Sequence, residues 1–114
     1  MLERDIDRRF CAGLKKLGMR SIKLTSFGPR GEAGWPDRLV LGTGGVPVFV
    51  ELKAPGAKAS PLQLERQAVL NKLGFFAATF DDAEKALAFV KDVVKHHVVM
   101  AYDPTPGGTR RCRR

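Results

Sequence analysis

Gly34-Trp-Pro-Asp-Arg-Leu-Val-Leu-Gly-Thr-Gly-Gly-Val-Pro-Val-Phe-Val-Glu-Leu-Lys53 is the most informative stretch of the chain. It holds two apolar runs, Asp37 to Leu41 and Val46 to Leu52, joined by Gly42-Thr-Gly-Gly45. Two short strand-like runs broken by a glycine cluster predict a hairpin. The second run is apolar almost throughout, with Pro47 near its start, which predicts a strand buried on both faces. Glu51 and Lys53 lie two residues apart, so on a strand they leave from the same face. Asp37 opens the partner strand. Two carboxylates and one ammonium therefore converge at one end of a two-stranded ribbon.

Outward from this hairpin the chain alternates helix and strand patterns. Ile6, Phe10, Leu14 and Leu17 recur at three- and four-residue steps, predicting a helix over 3–17 stopped by Gly18. Residues 20–25 alternate polar and apolar, as a strand does. Phe27 to Pro36 carries three glycines and two prolines and reads as a loop. Ala54 to Ala59 is a basic connector. Ser60-Pro-Leu-Gln63 has the form of a helix start, with an apolar face expected from Leu62, Leu64, Ala68, Leu70 and Leu73. Phe75 to Phe80 predicts a strand, Asp81 to His96 a helix, and Val98 to Tyr102 a final edge strand. The order α-β-β-β-α-β-α predicts an α/β fold, a mixed sheet with helices packed on it. Residues 1–102 are expected to form one domain, and 103–114 a basic, disordered tail.

The chain has 114 residues, one domain's worth, and is 44% hydrophobic, enough for a core. No apolar run approaches the roughly 20 residues that span a bilayer, and the charged start lacks a signal-peptide core. Cys11 and Cys112 have neither CxxC spacing nor zinc-site company, so no disulfide or zinc is expected. A cytoplasmic location is the expectation, in a bacterial or phage-infected cell. The net charge is +8, from 20 Lys and Arg against 12 Asp and Glu. This favours a polyanionic partner, with nucleic acid ahead of an acidic membrane because no helix has a broad basic amphipathic face.

Charged groups at the buried end of an apolar strand are costly unless they are paired or bind a metal. Paired carboxylates are hard oxygen ligands suited to Mg2+ or Mn2+. Such an ion polarises a phosphate and activates water, and a neighbouring lysine positions that water or offsets transition-state charge. The plain alternative is a structural cluster in which Lys53 merely pairs with Asp37 or Glu51.

The neighbours favour the chemical reading. Glu3, Gly34-Trp-Pro-Asp37, Val50-Glu-Leu-Lys53-Ala-Pro, Leu62-Gln63 and Gly74 together resemble the VRR-NUC domain of the PD-(D/E)XK nuclease superfamily, over roughly residues 3–80. The resemblance implies a restriction-endonuclease-like sheet flanked by helices. It also implies a metal held by Asp37, Glu51 and the Leu52 carbonyl, with Glu3 close by. Asp7, one turn on, is the other candidate for the helix-one position. Stand-alone members of the family are similar in being small dimers acting on branched DNA, so a homodimer and four-way junctions are the expected partner and substrate. The given sequence is close to the minimal domain, so substrate targeting by a second, added DNA-binding module is not expected.

Other residues carry two readings each. Gln63 completes a capping box and is also the candidate post-strand active-site glutamine. Glu3 is a favourable charge in a first helical turn or a site residue. Trp35 packs in the core or stacks on an unpaired base. Arg30 and Lys58 are solvated loop cations or phosphate contacts. His96 and His97 are adjacent and point apart on a helix, so no shared metal site is expected of them. A non-catalytic nucleic-acid-binding module on a nuclease-like fold is the competing function, and the intact Asp37, Glu51 and Lys53 argue against it. A ribosome- or RNA-binding protein is less favoured, since neither RRM-type aromatics nor a KH-type GxxG loop is present.

Overall fold

The structure, a computed structural model, describes residues 1–24 and 33–97, and the backbone of 99–101 and 111–113. Helix α1 is Glu3–Lys16, and the Leu2 N–H at its start donates to the Asp5 carboxylate at 2.8 Å. Ile6, Phe10 and Leu14 are its buried stripe, as their spacing predicts. Strand β1 is Arg20–Lys23 and is mostly exposed.

The hairpin forms as expected, from β2 (Arg38–Gly42) and β3 (Val46–Leu52). Its register sets Val40 opposite Val48 and Arg38 opposite Val50. The turn depends on glycine at its tip: Gly44 and Gly45 have φ of 83° and 85°, which side chains rarely tolerate.

β3 also pairs with β4 (Phe76–Phe80), in parallel, with Glu51 beside Thr79 and Leu52 beside Phe80. A parallel pair needs a crossover, and α2 (Pro61–Lys72) supplies it. The sheet is thus mixed, in the order β1-β2-β3-β4. Helix α3 (Ala83–His96) follows, capped by Asp82, whose carboxylate accepts from the N–H groups of Glu84 and Lys85.

Helices α1 and α3 lie together on one face of the sheet. They approach so closely that a Cβ on Gly13 would stand 2.3 Å from the Leu87 side chain. The core is Ile6, Phe10 and Leu14 from α1, Ala86, Val90 and Val93 from α3, and Val40, Val48, Val50 and Leu52 from the hairpin.

The opposite face is less complete, and two expectations are corrected there. β3 is not buried on both faces along its whole length, since Pro47 and Phe49 are only half-buried. The apolar residues of α2 do not form a buried face either: Leu64 is 55% and Leu73 is 70% exposed. Positions 62, 64, 68, 70 and 73 spread around a 3.6-residue helix, so they cannot all face the sheet at once. α2 docks instead through Leu70, Gln67 and Asn71. The Gln67 amide donates to Thr79 Oγ1, and Asn71 exchanges two hydrogen bonds with the Ala77 backbone, each 3.1 Å long.

The last expected strand exists as β5 (Val99–Ala101), but it does not join the main sheet. It pairs antiparallel with β6 (Arg111–Arg113) in a separate two-stranded sheet. Of the expected tail, residues 103–110 and 114 lie outside the described residues. No helix among the described residues is long and apolar enough to cross a membrane.

Phe10 is fully buried where α1, the sheet and α3 meet. Phe10→Ala should therefore cost about 3–5 kcal/mol, from lost transfer energy plus an unfilled cavity. Urea denaturation followed by circular dichroism measures this, and a loss under about 1 kcal/mol would show that the core is not organised around this ring.

Candidate active site

Three carboxylates from three separate segments meet at the C-terminal end of β3. Glu3 comes from the first turn of α1, Asp37 from the residue before β2, and Glu51 from β3. One ligand oxygen of each lies within 4.8 Å of the others. The hairpin register explains Asp37 and Glu51, because the strand ends that carry them are paired neighbours. The Leu52 N–H donates to Asp37 Oδ1 at 3.4 Å, holding that carboxylate against the β3 backbone. Glu3 reaches the same point because α1 packs its Ile6 and Phe10 stripe on the sheet just beyond it.

The electrostatics of the cluster are unfavourable for three free anions. Glu51 is 4% exposed, and its carboxyl titrates at about 7 instead of 4.5. Burial is the main cause and the Asp37 charge the second. Lys53 and a hydrogen bond from the Asp37 backbone pull the other way. Asp37 is also raised, first by burial and then by Asp7 and Glu3, while the Leu52 N–H opposes the shift. Lys53 Nζ lies 3.8 Å from Glu51 Oε2, a loose ion pair with a side chain 21% exposed. One ammonium does not neutralise three carboxylates. Hard oxygen donors, partly buried and mutually repelling, fit a divalent cation such as Mg2+ or Mn2+.

The remaining expected site residues fall into distinct places. Gln63 Oε1 accepts from the Ser60 N–H at 2.9 Å, and Ser60 Oγ accepts from the Gln63 N–H, so the capping box is realised in full. Trp35 is half-buried, with the Arg66 guanidinium 4.9 Å from its ring centroid. Arg66 also donates to the Ala33 carbonyl, which ties the Gly34-Trp-Pro-Asp37 segment to α2. Gly34 is needed there: its φ is 88°, and a Cβ would stand 2.6 Å from Leu62 Cγ. Lys58 is exposed on the connector after β3, which is tethered where the Gly56 N–H donates to Asp81 at 2.9 Å. Arg30 lies outside the described residues.

Asp7, the alternative to Glu3, is not in the cluster. Both its oxygens are taken by Arg38, at 2.5 and 2.7 Å. Arg38, Gln67 and Thr79 went unmarked in the sequence, where they read as ordinary strand and helix positions. The one available signal was the polar character of Arg38 directly after Asp37 in an otherwise apolar strand.

A hairpin with clustered carboxylates and a lysine at its end, on a mixed sheet between helices, is the architecture of a nuclease. Known proteins carry that class further. No family model matches the chain. A phage protein named "Putative nuclease p44", from Acyrthosiphon pisum secondary endosymbiont phage 1, is 38% identical over 82 residues, or 72% of this chain and 85% of that protein. A solved VRR-NUC domain superposes with a TM-score of 0.64 at 27% identity, covering 83% of this chain and 96% of its own. A solved VRR-NUC domain protein shares the fold with a TM-score of 0.61 at 19% identity, over 83% and 89% of the two chains. The chain belongs to the VRR-NUC family of nucleases.

The raised Glu51 carboxyl makes a pH prediction. In the unfolded chain the group titrates near 4.5 and in the folded chain near 7, so between these values the folded state holds the proton more tightly. Metal-free stability therefore falls as pH rises from 4.5 to 7, because ionising this carboxyl works against the fold. Urea denaturation in a chelator across that window should show the decline, and Glu51→Gln should flatten it. Identical slopes in the two proteins would contradict the assignment.

Proposed function

We propose that this chain is a divalent-metal-dependent deoxyribonuclease that hydrolyses phosphodiester bonds in branched DNA such as four-way junctions. The observation that carries this reading is the convergence of Glu3, Asp37 and Glu51 within 4.8 Å, with Lys53 Nζ 3.8 Å from Glu51. Mg2+ or Mn2+ would be held by Asp37 and Glu51, with the Leu52 carbonyl and Glu3 beside them. When bound, the ion polarises the phosphate and makes water nucleophilic at neutral pH. The chain's own residues set the geometry. Asp37 is fixed by the Leu52 N–H, and Glu51 by its place in the paired strand. The Lys53 ammonium faces the negative charge that grows on the phosphate oxygens as water attacks phosphorus. Gln63 is the proposed active-site glutamine as well as a cap: its Oε1 serves the start of α2, beside the connector that bears Lys58. Lys58 and Arg30 are the proposed phosphate contacts. Trp35, on the segment that leads into Asp37, is a further proposed DNA contact.

Branched DNA suits a two-fold assembly, since one metal site cuts one strand and a junction needs two cuts. We take the protein to act as a homodimer, in the soluble interior of a bacterial or phage-infected cell. The side chains of Val98, Val99 and Met100 lie outside the described residues. Val93 is buried, and Phe76, Phe80 and Val94 pack on the core, so α3 spends its apolar residues within the monomer. Among the described residues, exposed apolar side chains cluster at α2 and the sheet beside it, at Leu64, Leu73, Phe75, Ile22 and Leu41.

Supercoiled plasmid and four-way junctions, incubated with and without Mg2+ or Mn2+, test the activity. Cleavage should require metal, and Asp37→Ala and Glu51→Ala should reduce it to background while DNA binding persists. Lys53→Ala should lower the rate by about 10²–10³-fold and still bind metal, since an ammonium is not a ligand. DNA binding without cleavage under every metal condition would favour the non-catalytic binding module instead. Light scattering should give a dimer mass at micromolar concentration, with Leu73→Asp shifting it toward monomer. A monomer mass with junction cleavage intact and first-order in protein would exclude the dimer.

A further inference from the structure

Next to the carboxylate cluster stands an ion pair that none of the chemistry above uses. Asp7 follows Glu3 by one turn of α1, and Arg38 follows Asp37 directly. Arg38 Nε reaches Asp7 Oδ1 at 2.5 Å and Arg38 Nη2 reaches Oδ2 at 2.7 Å, a two-pronged contact of fixed geometry. Arg38 Nη1 donates to Ser21 Oγ at 3.1 Å, which brings β1 into the same knot. The two side chains are 12% and 28% exposed, so water competes weakly for them. The pair therefore cross-links the two elements that carry two of the three cluster carboxylates, within one helical turn of Glu3 and one residue of Asp37. Glu3 itself is exposed on the first turn of α1, where a helix otherwise frays.

We propose that Asp7 and Arg38 are positioning residues, a strut that sets the spacing of Glu3 from Asp37 and thereby the affinity of the cluster for a divalent cation. The inference rests on the metal-binding reading given above. Partners that orient ligands without touching the ion govern affinity in this way. The pair also has a sign that separates positioning from charge. Arg38 is a cation beside an anionic cluster, so by electrostatics alone its removal would tighten cation binding. By positioning, its removal loosens α1 and weakens binding.

The test is calorimetric titration of Mn2+ into the full-length, metal-free protein, with the fold of each variant checked by circular dichroism and urea denaturation. Arg38→Gln should raise the Mn2+ dissociation constant at least about tenfold. Arg38→Lys keeps the charge and loses the fork, and should fall between Arg38→Gln and the natural protein. Asp7→Asn should weaken binding to a similar extent as Arg38→Gln. An unchanged or lower dissociation constant in folded Arg38→Gln overturns the strut. Should that variant not fold, unchanged binding by Arg38→Lys overturns it equally. Absence of Mn2+ binding to the natural protein would instead overturn the metal reading, and the strut along with it.

Discussion

Three carboxylates, two of them desolvated by burial, are held together at the end of one strand, and the rest of this small protein is arranged to keep them there. Glu51 sits 4% exposed at the end of a strand whose other residues are valine, phenylalanine, proline and leucine. A strand of that composition would pack at lower cost with a leucine in its place. The fold instead holds Asp37 and Glu3 against Glu51 and supplies partial relief through Lys53, the Leu52 N–H and the Asp37 backbone. Each source of relief is local and incomplete. The cost is carried by the valine and phenylalanine core beneath, which fixes the hairpin firmly enough that the anions cannot separate.

That division of labour explains where each part of the site comes from. The hairpin is a short-range structure, held by its turn and its cross-strand pairs, and it delivers Asp37, Glu51 and Lys53 together. Glu3 belongs to the start of the chain and reaches the cluster only through tertiary packing, across Ile6, Phe10 and Leu14. The carboxylate cluster is therefore complete only when α1 is docked, and α1 is docked on α3 as well as on the sheet.

The parts legible in the sequence are those whose physics is local. The glycine-rich turn, the two-residue spacing of Glu51 and Lys53, the apolar stripe of α1 and the cap at Ser60 each depend on neighbours a few residues away. α2 was less legible because its leucines follow no single face, and its docking residues, Gln67 and Asn71, are polar. Their partners, Thr79 and the Ala77 backbone, belong to the strand after the helix, and nothing in the helix sequence marks them. The Asp7–Arg38 pair joins positions 31 apart, so no spacing rule could have matched the two. The choice between Glu3 and Asp7 was open for the same reason, since both lie on the same side of one helix and only the sheet distinguishes them.

The Asn71 contact has a consequence for how this protein behaves among its own copies. β4 is the outer strand of the sheet, and Phe-Ala-Ala-Thr-Phe is apolar, uncharged and free of proline. Such an edge invites another chain to add a strand, the first step towards aggregation. β1, at the opposite edge, carries Arg20 and Lys23 as a deterrent. β4 has no charge, but the side-chain amide of Asn71 donates to the carbonyl and accepts from the N–H of Ala77, just inside the strand's start. Those are the two bonds an incoming strand would make there. A single asparagine thus imitates the missing neighbour at Ala77 and occupies that step of the edge, and the crossover helix there stands in the way of an incoming strand.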